Sequence, residues 1–457
     1  MVLRSALVLS AASALAGAVS AQPAVDPRFV DRVRFSHGVA VPGSVTQICW
    51  GPDGRLYAIT TGGGAHSFRY NSQTGALDQR RVAASGLFGV GIAFHRRTLY
   101  ISTIDGSIWR LLDQNGNGRF GEAGETRVAI ATGVPVGDHP LGQLVVRDNS
   151  LYVGVGQRTI NGRNGPGTGG SIDDFGGTGF WSGGAGNTWG ESAYGGAIAW
   201  IRDLFRVPSV TGAANAYANS TLSQNLIQND FSPFTEMRWG KLTVHSAGSR
   251  NPFGLGFDSS GRLFFTNNFN RTDTLGNGES GPGLPGDVHD SDFRNDVYDQ
   301  FFLASPGADY GYANENYRGR TPMLTPGSTG YHRVNSITYD QLFNGGPYRD
   351  YDPANPRGLG PHSSITGFDF WYHPTLRSFN GNAFAARWNR TATEAPGGRN
   401  RTLNYNDVVA IHPDTGRVAR VMTGFGNPID CLWDGGRRML VADYGFKFIY
   451  VFETASL

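Results

Sequence analysis

The chain has 457 residues, with 39 basic against 37 acidic side chains, 39% hydrophobic residues and 66 glycines. A near-neutral balance with no basic run excludes a nucleic-acid or anionic-membrane surface built on charge. The glycines have no three-residue period and stand beside 28 Phe and 18 Tyr, which excludes collagen and disorder and points to a turn-rich, all-β protein.

In chain order, Met1 and Arg4 lead a short apolar stretch that ends at Val19-Ser20-Ala21, the layout of an export signal cut after Ala21. The stretch is too short to remain in a bilayer, and no later run approaches a transmembrane span. The reading is therefore residues 1–21 as signal peptide and 22–457 as a single secreted or periplasmic domain. From there one pattern recurs: apolar residues, a polar turn with Gly or Asp, then a second apolar strand. It occurs six times, at 48–60 (ICWGPDGRLYAIT), 91–103, 142–156, 254–268 (GLGFDSSGRLFFTNN), 367–386 and 429–445. Each copy reads as a β-hairpin. Less regular outer strands follow at 106–112, 196–201 and 407–425. Six small sheets that cannot bury both faces alone are best arranged as a six-bladed β-propeller, which removes long free edges by closing radially. A sandwich with long loops is the rival architecture.

Cys49 lies in the first copy and Cys431 in the last, and they are the only cysteines. In an exported ring whose first and last blades are neighbours, they are candidates for one disulfide, with two buried free thiols as the alternative. The segment 113–125 (DQNGNGRFGEAGE) places Asp113, Asn115 and Asn117 at alternating positions before Gly118, like the start of a calcium loop. Residue 124 is Gly where a bidentate Glu would stand, so a plain polar turn is the competing reading. Residues 157–195 form a Gly-, Ser- and Thr-rich excursion, and 267–310 and 315–363 are also long. These loops are expected to crowd one face. Trp181, Trp189 and Tyr194 either stack on a sugar or pin down their own loop. Asn219, Asn270, Asn389 and Asn400 begin Asn-x-Ser/Thr sequons.

Two polar groups stand just ahead of apolar strands: His139 in GDHPLGQLVV and Arg250-Asn251-Pro252 before Gly254. A strand that only packs has no need of an arginine and an asparagine at its mouth. The pattern H..G.L before one hairpin and RNP.GL.F before the next resembles the soluble aldose and sorbosone dehydrogenases that use pyrroloquinoline quinone (PQQ), a six-bladed propeller family, with matching motifs spread over residues 45–452. The resemblance implies oxidation of a sugar hemiacetal to the lactone, with electrons passed to a small redox carrier or an electron-transfer protein. It places His139 as the catalytic base and Arg250 with Asn251 at the cofactor and substrate. It also implies calcium near a Gly-Pro, here Gly281-Pro282, and near Asp296, where Asp287, Asp290 and Asp292 are further hard oxygen ligands.

The departures are specific. Phe253 replaces the glutamine usual after RNP, and Leu141 and Gln143 replace a glycine and an arginine. The only lysines, Lys241 and Lys447, are in the wrong segments to meet the quinone carboxylates, which leaves Arg387 or Arg390 for that role by location. A non-catalytic propeller that binds carbohydrate or an exported protein is the first alternative, and a metal-dependent lactonase the second. No phosphate loop, zinc helix, Cys-x-x-Cys pair or serine elbow is present in the sequence.

Overall fold

The computed structural model describes residues 22–132, 134, 139, 141–156, 195–209, 242–246, 248–268, 299–306, 351–352, 355–356, 359, 363–388 and 405–455. The chain is an all-β, six-bladed propeller. Each hairpin foreseen in the sequence forms the two innermost strands of a blade, because alternation and a tight turn are local properties that need no distant partner. Blade 1 runs Val45–Trp50, Leu56–Thr60, Gly64–Tyr70 and Leu77–Ser85; blade 2 runs Gly89–His95, Thr98–Thr103, Ile108–Leu112 and Arg127–Ala131. Blade 3 comprises Leu141–Arg147, Ser150–Val155, Ala197–Ile201 and Thr243–Ser246, and blade 4 comprises Asn251–Phe257, Leu263–Asn268 and Gln300–Leu303. Blade 5 is Ile365–Trp371, Asn382–Arg387, Asp407–Ile411 and Val418–Thr423, with Ala24–Val25 added outside. Blade 6 is Pro428–Trp433, Arg438–Asp443 and Phe448–Thr454. Every innermost strand packs beside that of the next blade, and the last beside the first.

The ring closes by hydrogen bonds. Val33–Ala40 is the outermost strand of blade 6, in register from Val33 opposite Thr454 to Ala40 opposite Phe448. The expected disulfide is not formed, and both thiols are free. The reason is geometric. Cys49 immediately precedes Trp50 and Cys431 stands two residues before Trp433, where Trp50 and Trp433 end the equivalent inner strands, so the thiols are one residue out of step and their side chains point away from each other. Cys49 packs with Tyr57, Ile92 and Leu99 between blades 1 and 2. Cys431 packs with Trp371, Phe384 and Met439 between blades 5 and 6. Ile48, Ile429 and Leu440 fill the space that separates them.

All six innermost strands shift register near their starts, at Val45/Gln47, Gly89/Gly91, Leu141/Leu144, Pro252/Leu255, Ile365/Phe368 and Pro428/Asp430. A bulge re-aims the side chain it carries, and here three long polar side chains meet on the axis. Gln47 donates to Leu144 O at 2.8 Å and accepts from Ile92 N and Leu144 N at 2.7 and 3.0 Å. Gln143 donates to Thr46 O at 3.2 Å, and Asp430 accepts from Ile48 N at 2.8 Å. Gly91, Gly254 and Gly367 occupy the corresponding positions of the other blades. A Cβ on Gly367 would overlap both Asp430 Oδ1 and Gln143, so glycine makes the room these side chains fill. The free edges of the inner strands thus find partners across the axis. Burial pushes the Asp430 carboxyl well above the usual carboxylate range, against the hydrogen bonds that favour its charged form.

Candidate functional site

The polar residues singled out in the sequence gather at the end of the ring where the innermost strands begin. Antiparallel pairing brings the end of each second strand to the same level: Leu141 faces Val155, and Asn251 faces Asn268. His139 lies just ahead of the first strand of blade 3, and Arg250 just ahead of that of blade 4. Both are buried, as is Asn251.

Asn267 fixes the backbone of the Arg-Asn pair. Its Oδ1 accepts from Arg250 N at 3.1 Å and from Asn251 N at 3.0 Å, while its Nδ2 donates to Gln300 Oε1 at 3.3 Å. The Arg250 guanidinium then reaches across the blade boundary, where Nη1 donates to His139 Nε2 at 3.3 Å. Since guanidinium nitrogens only donate, His139 Nε2 is the acceptor of this pair. Gly156, the first residue after the second strand of blade 3, makes this approach possible. A Cβ there would overlap His139 Cβ and lie 3.1 Å from Asn251 Oδ1. The structure therefore brings His139, Arg250 and Asn251 together. A fixed cation, an imidazole and amides form a donor set that suits an anionic, oxygen-rich ligand such as a polycarboxylate.

Arg387 is engaged elsewhere. Its Nε and Nη2 donate to Asp407 Oδ1 and Oδ2 at 2.8 and 2.7 Å, and its Nη1 donates to Leu359 O at 2.9 Å. The guanidinium also lies 4.6 Å from the centre of the Tyr405 ring. Burial raises the Asp407 carboxyl, and Arg387 opposes that shift. Phe253 packs into the core with Val45, Val90 and Ile429, and Leu141 packs among Leu144, Val153 and Val155.

In the 113–125 turn the oxygens face the loop's own amides. Asp113 Oδ1 accepts from Gly116 N at 2.8 Å and Oδ2 from Gly118 N at 2.8 Å, while Asn115 Oδ1 accepts from Asn117 N at 2.9 Å. Asn117 Nδ2 donates to Glu122 Oε2 at 2.9 Å, and Glu125 Oε1 accepts from Gln114 N at 2.9 Å. Among the described residues no group of three or more His, Cys, Asp or Glu is placed to hold a metal. Gly281, Pro282, Asp287, Asp290, Asp292, Asp296 and Arg390 lie outside the described residues, as do Trp181, Trp189, Tyr194, the four sequons and residues 1–21. Among the described residues no helix is long and apolar enough to cross a membrane.

Sequence reasoning passed over Asn267, Asn268 and Gly156. The signal was present: two amides end an otherwise apolar strand in RLFFTNN, and a glycine ends LYVGVG.

Taken together, the blades and the polar mouth define a six-bladed β-propeller that resembles the fold of PQQ-dependent sugar dehydrogenases. No protein-family model matches the chain, and no curated protein matches its sequence. Among solved structures, the calcium structure of a Trichoderma reesei carbohydrate-active enzyme of family AA12 superposes with a TM-score of 0.58 at 15% identity, over 96% of this chain and 98% of that one. The holo form of the PQQ domain of a pyranose dehydrogenase from Coprinopsis cinerea gives 0.58 at 14% identity, over 95% and 97%. A Thermus thermophilus protein described as a putative oxidoreductase (glucose dehydrogenase) gives 0.50 at 15%, over 93% and 99%. At these identities the likeness is one of fold.

Proposed function

We propose that the chain is an exported, PQQ-dependent oxidoreductase that converts a pyranose hemiacetal to its lactone and hands the electrons to a small carrier or an electron-transfer protein. One observation carries the reading: Arg250 Nη1 donates to His139 Nε2 at 3.3 Å at the mouth of the ring, beside Asn251. The likeness of fold to a PQQ domain supports it. When bound, the quinone supplies the acceptor for the two electrons that leave C1 of the sugar as hydride. Arg250 would turn its guanidinium from His139 to an anionic oxygen of the cofactor, which would release the Nε2 lone pair of His139 to take the hydroxyl proton, and Asn251 would orient a neighbouring oxygen with its amide. Calcium enters the proposal through Gly281, Pro282 and Asp296, and Arg390 is the second cation for the cofactor's carboxylates.

The test is calorimetric titration of the folded protein with PQQ, in calcium and in excess chelator. One-to-one binding that requires calcium and weakens about tenfold or more in Arg250→Ala is the expected result. His139→Ala should retain binding and lose pyranose oxidation with an artificial acceptor. Absence of PQQ binding under both conditions overturns the proposal.

A further inference from the structure

In blades 1, 2, 5 and 6 the residue that follows the second strand occupies an equivalent place round the mouth, because its N–H bonds back to the residue just ahead of the blade's first strand. Thr61 N donates to Ser44 O at 3.0 Å, Ile104 N to Phe88 O at 3.1 Å, Trp388 N to Ser364 O at 3.0 Å and Tyr444 N to Asn427 O at 2.9 Å. In blade 3 this place is taken by Gly156, which leaves room for His139 and Asn251. In blades 5 and 6 it is taken by two aromatics, Trp388 and Tyr444, which stack on each other with centroids 4.7 Å apart and planes 30° off parallel. Both are half-buried. The mouth is thus divided, with imidazole, guanidinium and amide on the side of blades 3 and 4 and an aromatic surface on the side of blades 5 and 6.

Asn268 and Ser364 join the two halves. Asn268 Nδ2 donates to Ser364 Oγ at 3.2 Å, and Ser364 is held in the left-handed region at φ 47°, unusual for a residue with a side chain. Asn268 is 7% exposed, yet its Oδ1 has no hydrogen-bond partner among the described residues. A buried amide oxygen in that condition is costly unless a ligand or water supplies a donor. A flat aromatic surface next to an unmet acceptor is complementary to a molecule with an apolar CH face and hydroxyls at its edge.

We propose that Trp388 and Tyr444 form a stacking platform for the CH face of a pyranose ring and that Asn268 Oδ1 accepts a hydrogen bond from one of its hydroxyls. The inference rests on the functional reading above and adds the specificity-determining half of the same mouth. Open-chain polyols share the hydroxyls but lack the rigid CH face, so the platform selects rings.

The test measures sugar binding by saturation-transfer NMR on the intact protein, with and without PQQ, using D-glucose, D-galactose, D-mannose and D-xylose as probes and sorbitol as the open-chain control. PQQ affinity is followed calorimetrically in the same variants. At least one pyranose should bind saturably, with the strongest transfer to its ring CH protons, and sorbitol should not. Trp388→Leu should weaken that sugar about tenfold, while Trp388→Phe, which keeps a stacking face, should retain most of the affinity. Asn268→Ser should weaken the sugar but spare the deoxy analogue that lacks the recognised hydroxyl. Tyr444→Leu provides a second platform variant should Trp388→Leu melt early. If no pyranose binds in either condition, or if folded Trp388→Leu and Tyr444→Leu bind sugar like the parent, the platform is overturned. Equal weakening of PQQ and sugar also overturns it, since the aromatics would then face the cofactor. Platform-dependent sugar binding in a protein that never binds PQQ would overturn the dehydrogenase reading alone. PQQ binding with indifferent platform variants would overturn only this inference.

Discussion

Replacing Arg387 by Met separates a structural arginine from one that serves a cofactor. In the fold, Arg387 and Asp407 sit opposite each other on adjacent strands of blade 5, with side chains 1% and 3% exposed and paired through two hydrogen bonds of 2.8 and 2.7 Å. Removing one partner of such a pair leaves a buried charge uncompensated, which costs about 3–5 kcal/mol. The loss should depend on pH. Burial already raises the Asp407 carboxyl in the folded protein, and the loss of Arg387 raises it further above its unfolded value of about 3.9. A carboxyl raised in this way keeps its full stability only below the unfolded value and loses it as pH rises through the folded one. Urea denaturation should therefore show the largest deficit for Arg387→Met at neutral pH and a smaller one near pH 4. Arg387→Met/Asp407→Leu should recover much of the loss, because no charge then remains buried. Parent-like stability of Arg387→Met at neutral pH, together with a loss of PQQ affinity, would refute the structural role, since the guanidinium would then be serving a ligand.

Gly156→Ala should destabilise the protein by about 1–3 kcal/mol through overpacking against His139 and should also weaken PQQ binding, a pairing that denaturation and calorimetry together check. Burial holds the half-buried Asp369 carboxyl at about 6 against an ordinary 3.8, so the folded state binds the extra proton between these values. Stability should fall as pH rises across that window, and Asp369→Asn should flatten the fall in a urea series. Burial pushes both thiols up, so Cys49 and Cys431 should resist a thiol-exchange reagent until the protein unfolds, and reductant should leave the melting temperature unchanged. Excision of residues 33–40 should open blade 6 and lower the melting temperature by far more than any surface substitution, as read by circular dichroism.

The hairpins were legible because each is written in one short run: LYAIT after ICWGPDGR is alternation and a turn with no distant partner. The closing strand was not legible, since Val33–Ala40 pairs with Phe448–Thr454 across almost the whole chain and does not repeat the hairpin pattern. The same limit governs the cysteines, whose places in the first and last hairpins were plain while the opposite directions of their side chains needed the strand register and the ring. At the mouth, Arg250-Asn251 declared itself as polarity in front of an apolar strand. The acceptor that pins it, Asn267, required the pairing of Asn251 with Asn268 before it had a meaning. Arg387 was placed at the cofactor by location, and its pairing with Asp407, 20 residues further on, became visible only through strand register.

Gln47, Gln143 and Asp430 cross the axis just inside the strand starts where His139, Arg250 and Asn251 gather, which gives the polar mouth a hydrogen-bonded floor. A ligand resting on that floor would come and go on the rim side, past Trp388, Tyr444 and Asn268. Under the dehydrogenase reading, sugar and electron acceptor are then rivals for a doorway. An excess of either should slow the turnover of the other, and the size of the acceptor, more than its potential, should decide how soon that happens.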